Sequence, residues 1–185
     1  MNFISKNLRK SRYFNLVLIV ISLVLSIYNL TINKSPYFDY AYKPCLTIGL
    51  VSALMYTVYG YKKESALYYK LFMFLFFISL ALSAYTQTLY IDGNISNWSI
   101  STYANFGRII PLFLLTFMTN LGEKRSKICS YIVFGLCLVI FIRTCIVYTS
   151  NICYISTSLS HLTMSAVAVM LVNEKYVDKA SRGAK

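Results

Sequence analysis

Apolar residues fall along the chain in six long stretches separated by short polar connections. The stretches run roughly Tyr13–Leu30, Pro44–Tyr61, Leu67–Tyr90, Trp98–Asn120, Ile128–Thr149 and Ile152–Val172. Each is near the ~20 residues with which an α-helix crosses the hydrocarbon core of a bilayer. The third, with LFMFLFFISLALSA at its heart, is the least ambiguous; the fourth opens with the polar run STYANFGR. Neither an internal repeat nor a low-complexity tract interrupts the series. The pattern predicts an all-α polytopic membrane protein: a bundle of six transmembrane helices in a single membrane domain over residues 1–185.

Composition points the same way. Of 185 residues, 57% are apolar with Tyr counted and only 13% are charged, against roughly 25% charged in a typical soluble domain. Only three Pro are present to break apolar runs. These values exclude a disordered chain, a collagenous chain and a conventional soluble enzyme. The net charge is +12, from 18 Lys and Arg against six acidic residues. A nucleic-acid module would gather its bases on one folded face beside aromatics. Here they sit in short clusters between apolar runs, so no nucleic-acid partner is expected.

The clusters instead give a topology. Lys6, Arg9, Lys10 and Arg12 precede the first stretch, and Lys62, Lys63 and Lys70 lie around the second connection. Lys124, Arg125 and Lys127 occupy the fourth, and Lys175, Lys179, Arg182 and Lys185 the tail. With an even number of spans, these fourteen bases share one side, while the other side has only Lys34 and Lys43. The positive-inside bias then puts both termini in the cytoplasm of a cell-membrane protein. The first stretch is too long for a signal-peptide core and has no A-x-A-like cleavage site, so it is expected to stay as a spanning helix. The outer connections read TINKSPYFDYAYK, IDGNISNWS and YTSN. Tyr37, Tyr40 and Tyr42 there suit interfacial anchors, and Asn94 and Asn97 head glycosylation-type triplets.

An ionisable side chain inside a membrane is a functional hypothesis by default. All six carboxylates, Asp39, Glu64, Asp92, Glu123, Glu174 and Asp178, fall in loops or at segment ends. A carboxylate proton relay or a metal-dependent enzyme is therefore disfavoured. Arg108, Arg143 and His161 are different. Counted along three consecutive helices, they lie roughly 9–15 Å below the outer surface, with no carboxylate in the membrane to neutralise them. Ser101, Asn105 and Arg108 share a helical face, as do Thr157, His161 and Ser165. The third helix offers Ser79, Ser83 and Gln87, and the first carries Asn15, Ser22, Ser26 and Asn29 on one stripe. Polar stripes in spanning helices face the bundle interior.

Five Cys are present, and Cys129, Cys137, Cys145 and Cys153 repeat every eight residues. That spacing drifts by about 80° per step on a helix and makes no shared face, so the thiols are read as packing residues. Cys45 and Cys153 both fall towards the outer surface, and nothing in the sequence pairs them. There is no Cys/His metal-ligand spacing, no GxSxG, HExxH or phosphate-binding loop, and no catalytic residue, metal or cofactor is expected.

In size, helix count and an outer-half pocket, the chain is similar in outline to the membrane-embedded substrate-binding subunits of energy-coupling-factor vitamin transporters. The likeness is one of shape. That family docks through an AxxxA pattern on its first helix, where this chain has LVLIVISLVLSIYNL with only Ser22 and Ser26 small and four apart. The leading expectation is an outward-facing pocket that binds or transports an anionic small solute or a lipid headgroup. Arg108 and Arg143 would supply charge there, with His161, Asn105 and Gln87 orienting the ligand. A non-catalytic interaction protein, of the toxin-immunity or sensor kind, is the alternative. Its partner would be another membrane protein or a second copy of the chain. An intramembrane lipid-modifying enzyme using His161 with a hydroxyl or thiol comes third.

Overall fold

The computed structural model describes residues 2–32, 39–59, 65–90, 100–118, 120–150 and 152–183. Side chains are described over most of 12–31, 43–58, 67–85, 102–118, 120–150 and 152–175. Among the described residues all regular structure is helical: α1 (Asn2–Ile32), α2 (Asp39–Tyr59), α3 (Ser65–Tyr90), α4 (Ile100–Phe117), α5 (Glu123–Val147) and α6 (Ile152–Gly183). Each predicted apolar stretch corresponds to one helix. The ends differ because apolarity marks where a helix is greasy, not where its hydrogen bonds stop. Thus α1 takes in the basic arm before Tyr13, and α6 runs well past Val172. Lys43 is corrected by the same reasoning: it lies inside α2, not in a connection, and is buried.

Among the described residues, three helices contain runs long and apolar enough to cross a membrane: Arg12–Thr31 in α1, Glu123–Val147 in α5 and Ile152–Lys175 in α6. Shorter apolar runs cover Lys43–Val58 in α2 and Tyr69–Tyr85 in α3. Exposure is inverted relative to a water-soluble bundle. Phe14, Val17, Val20, Ile21, Val24 and Ile27 of α1 point outward, while Asn15, Ser22, Ser26 and Asn29 point inward. Burying polar groups and exposing large apolar ones is unfavourable in water and favourable in lipid. The predicted α1 stripe is therefore found, and it faces the interior.

Consecutive helices pack against one another, and α6 returns to close the ring on α1. It does more than close it. α6 also contacts α2 and α3, and 67% of its apolar run is buried, against 28% for α1 and 22% for α5. It is the axial helix of the bundle. Gly49 of α2 makes room for it: a Cβ there would stand 2.5 Å from the Met164 Cε. Leu46, Leu50, Phe72, Phe76, Met164 and Leu171 form the apolar core around this contact.

Polar side chains join α1 to α6 in a regular antiparallel series. Arg12 donates to both carboxylate oxygens of Glu174, at 2.8 and 3.1 Å. Asn15 donates to Met170 Sδ at 3.4 Å, and the Ser22 and Thr163 hydroxyls bond at 2.7 Å. Asn29 reaches the Cys153 carbonyl and the Thr157 hydroxyl at 3.4 and 3.5 Å. As α1 advances, its partners step back along α6, which fixes the register of the pair. Ser26 meanwhile bonds Thr47 of α2 at 2.7 Å.

Among the described residues, Arg12, Lys70, Lys124, Arg125, Lys127 and Lys175 collect at one end. Arg12 meets Glu174 there, and Lys175 Nζ lies 5.3 Å from the centre of the Tyr69 ring. Lys70, Lys124 and Arg125 are exposed at the starts of α3 and α5, and Lys127 pairs with Glu123 at 2.6 Å.

The α1–α6 series predicts a measurable coupling. A double-mutant cycle of Ser22→Ala and Thr163→Val, read by denaturant unfolding in detergent, is expected to give about 0.6 kcal/mol and at most ~1.7. Additive single-mutant effects would show that this hydrogen bond does not hold the pair.

Candidate functional site

The end of the bundle opposite the Arg12–Glu174 pair holds the unusual chemistry. Arg108 is 1% exposed and heads the largest fully buried side chains. It sits on α4, which packs between α3 and α5 and does not touch α6 at the backbone level among the described residues. The Arg108 side chain reaches from α4 to α5. Pro111 three residues on has no N–H, so the carbonyl of Gly107 loses its usual i+4 donor beside Arg108.

Two neighbours hold the guanidinium. Nη2 donates to Asn105 Oδ1 one turn earlier on α4, and Nη1 donates to Cys137 Sγ on α5 at 3.3 Å. Nε is buried without a hydrogen-bond partner. On α6, His161 is 2% exposed, and its Nε2 is likewise buried and unpartnered. Arg108 is close enough for its charge to act on the His161 ring. The only carboxylates with described side chains, Glu123 and Glu174, are bonded to Lys127 and Arg12 at the basic end. A buried guanidinium thus stands with an amide oxygen and a thiol, and with no carboxylate among the described residues. Neither neighbour carries the opposite charge that would offset its loss of water.

The predicted residues divide accordingly. Arg108, Asn105 and His161 are all buried; Arg108 bonds Asn105, and its charge reaches the His161 ring. Arg143 is half-buried. The buried stripe of α5 is Ser126, Cys129, Ser130, Val133, Cys137, Ile140 and Thr144, and Arg143 lies about 100° around the helix from Thr144. It also stands about 9 Å further along α5 than Cys137, the residue that faces Arg108. The side chains of Gln87, Ser101, Tyr37, Tyr40, Tyr42, Asn94 and Asn97 lie outside the described residues.

Cys137 was missed by the sequence reading. An eight-residue spacing carries no signal, but Cys129 and Cys137 both fall on the buried stripe, and Cys137 faces Arg108. All five thiols are free, and no hydrogen bond joins Cys145 to His161. Among the described residues no group of three His, Cys, Asp or Glu could hold a metal ion. Most hydroxyls of α6 are satisfied within their own helix: Ser158 donates to the Ile155 carbonyl, Ser160 to Ser156 and Ser165 to Leu162. Ser79 of α3 does the same to Phe76. Arg108 Nε and His161 Nε2 are thus among the buried polar atoms left without a hydrogen-bond partner, as are Asn29 Oδ1 and Ser156 Oγ. The chain matches no known protein family, no curated protein and no solved structure.

Asn105→Ala leaves a buried guanidinium nitrogen without its acceptor and is expected to destabilise by about 1–3 kcal/mol. Cys137→Ser, which keeps an acceptor, is expected to cost less than Cys137→Val. Thermal unfolding in detergent checks both, and a neutral Asn105→Ala would mean that the amide does not support Arg108.

Proposed function

We propose that this is a multi-pass cell-membrane protein with six spanning helices and both termini in the cytoplasm. It binds an anionic small solute or a lipid headgroup in a pocket facing outward. The topology rests on the basic clusters, which on an even helix count share one side. The inverted exposure of α1 and the end-on gathering of Arg12, Lys70, Lys124 and Lys175 support it. Reporter fusions at the two termini are expected to report the cytoplasm for both. Opposite sides would remove one span from this reading.

The observation that carries the binding role is Arg108: a fully buried guanidinium with no carboxylate among the described residues and one unpartnered N–H. An isolated buried charge is costly, and a bound anion supplies both the missing charge and the missing acceptor. Asn105 and Cys137 orient the guanidinium, and His161 offers a second polar atom from α6. Arg143, ~9 Å beyond Cys137 along α5, stands on the approach from outside. Gln87 extends the same level on α3.

Thermal-shift screening of the purified chain against anionic metabolites and anionic lipids tests this role. The wild type is expected to be stabilised by at least one anion, the Arg108→Ala protein far less, and the Arg143→Ala protein by an intermediate amount. Equal stabilisation of the wild type and an Arg108→Ala, Arg143→Ala variant would remove the pocket. It would leave a protein that works through its surface, as an immunity or sensor module does.

A further inference from the structure

Asn29 Oδ1, Arg108 Nε, Ser156 Oγ and His161 Nε2 are buried without hydrogen-bond partners, all in the half of the bundle away from the Arg12–Glu174 pair. Unsatisfied groups in one region call for a missing partner. They are not alike. Asn29 Oδ1 is an acceptor and cannot serve an anion, and its residue belongs to the α1–α6 series, as does the level of Ser156. Arg108 Nε–H is a charged donor, and His161 Nε2 is a donor in the Nε2–H tautomer. These two come from α4 and α6, helices whose backbones do not meet among the described residues, and the Arg108 charge reaches the His161 ring, so one group that accepts from both would complete the hydrogen bonding.

We propose that Arg108 and His161 receive a singly charged oxyanion with two equivalent oxygens, a carboxylate or a phosphodiester. One oxygen accepts from Arg108 Nε–H and the other from His161 Nε2–H. This deepens the anion-binding reading and rests on it. The charge class follows from the inventory. Arg108 contributes one positive charge, and a monoanion brings the site to neutrality. A dianion would leave a net negative charge in an apolar interior, where uncompensated charge is expensive. The other buried cation, Lys43 on α2, has contacts of its own. With Nη1 and Nη2 already donating to Cys137 and Asn105, the guanidinium presents its Nε edge, and selectivity passes to His161 as the second donor.

The test uses the full chain in a neutral detergent at neutral pH and matched ionic strength, with thermal unfolding as the readout. The probes are acetate, dimethyl phosphate and sulfate. Acetate and dimethyl phosphate are expected to stabilise with saturation, and sulfate to do no more than the ionic-strength control. Arg108→Gln and His161→Leu should each raise the half-saturating concentration about tenfold or more. If Arg108→Gln does not fold, Arg108→Lys, which keeps the charge but moves the donor, and His161→Leu carry the same test. Sulfate acting as well as acetate, and losing its effect in the Arg108 variant, would overturn the monoanion class while anion binding stands. No stabilisation by any probe, or equal stabilisation in the variants, would overturn both. Nanodiscs separate the two sources of the shared chemistry. Loss of the acetate effect in phosphatidylglycerol but not in phosphatidylcholine identifies a lipid headgroup, and its persistence in both identifies a free solute; either result supports the proposal.

Discussion

Glu174, Thr163 and Thr157 of α6 find on α1 the polar partners that hydrocarbon could not supply. The series from Arg12–Glu174 through Ser22–Thr163 to Asn29–Thr157 is the constraint on which the bundle is built. Each contact is weak, since the unfolded chain in a membrane also finds polar partners. Their value lies in register: a slip of one turn would strand several polar groups at once. With α6 fixed against α1, its other faces are free to take α2, α3 and α5, and the most polar of the long apolar helices becomes the axis. Many large apolar side chains of α1 and α5 are left for the periphery, where lipid meets them at no cost.

Arg108 is the exception to this economy. The α1–α6 series satisfies its members mutually, whereas Arg108 is held only by Asn105 and Cys137, and its charge has no carboxylate near it among the described residues. A guanidinium can be buried in this way because its three nitrogens spread the charge over several donors. The cost still remains, and it is located where α4 stands clear of α6. Structural need alone would be met by an apolar side chain of similar length. An Arg with an unpartnered Nε and a His with an unpartnered Nε2 are the observations on which the proposed anion site rests.

Much of this was legible along the chain, and the failures share a cause. The α1 stripe of Asn15, Ser22, Ser26 and Asn29 was readable because α1 has a lipid face and an interior face, so its polarity repeats with the helical period. On α6 the stripe Thr157, His161 and Ser165 was only part of the truth: Ser156, Ser158, Ser160 and Thr163 are also buried. An axial helix has little lipid face, and its hydroxyls need not keep to one side. Arg143 was grouped with Arg108 by depth counted along each helix; packing sets Cys137 rather than Arg143 against Arg108, and Arg143 lies about 9 Å further on and off the buried stripe of α5. Cys137 was invisible because a thiol reads as a packing residue until a donor faces it, and Lys43 was misplaced because helices begin before their apolar runs.

The sequence by itself determined the helical class, the six apolar stretches, the two-sided distribution of bases and the residues whose burial would demand explanation. These depend on local composition and on the fixed rise and turn of a helix, which any stretch of chain carries with it. The tertiary structure decided which helix is central, which polar groups are satisfied and which are not, and that Arg108 and His161 are buried while Arg143 is half-buried. Those outcomes depend on how helices rotate and cross, and rotation is set by all their faces packing together.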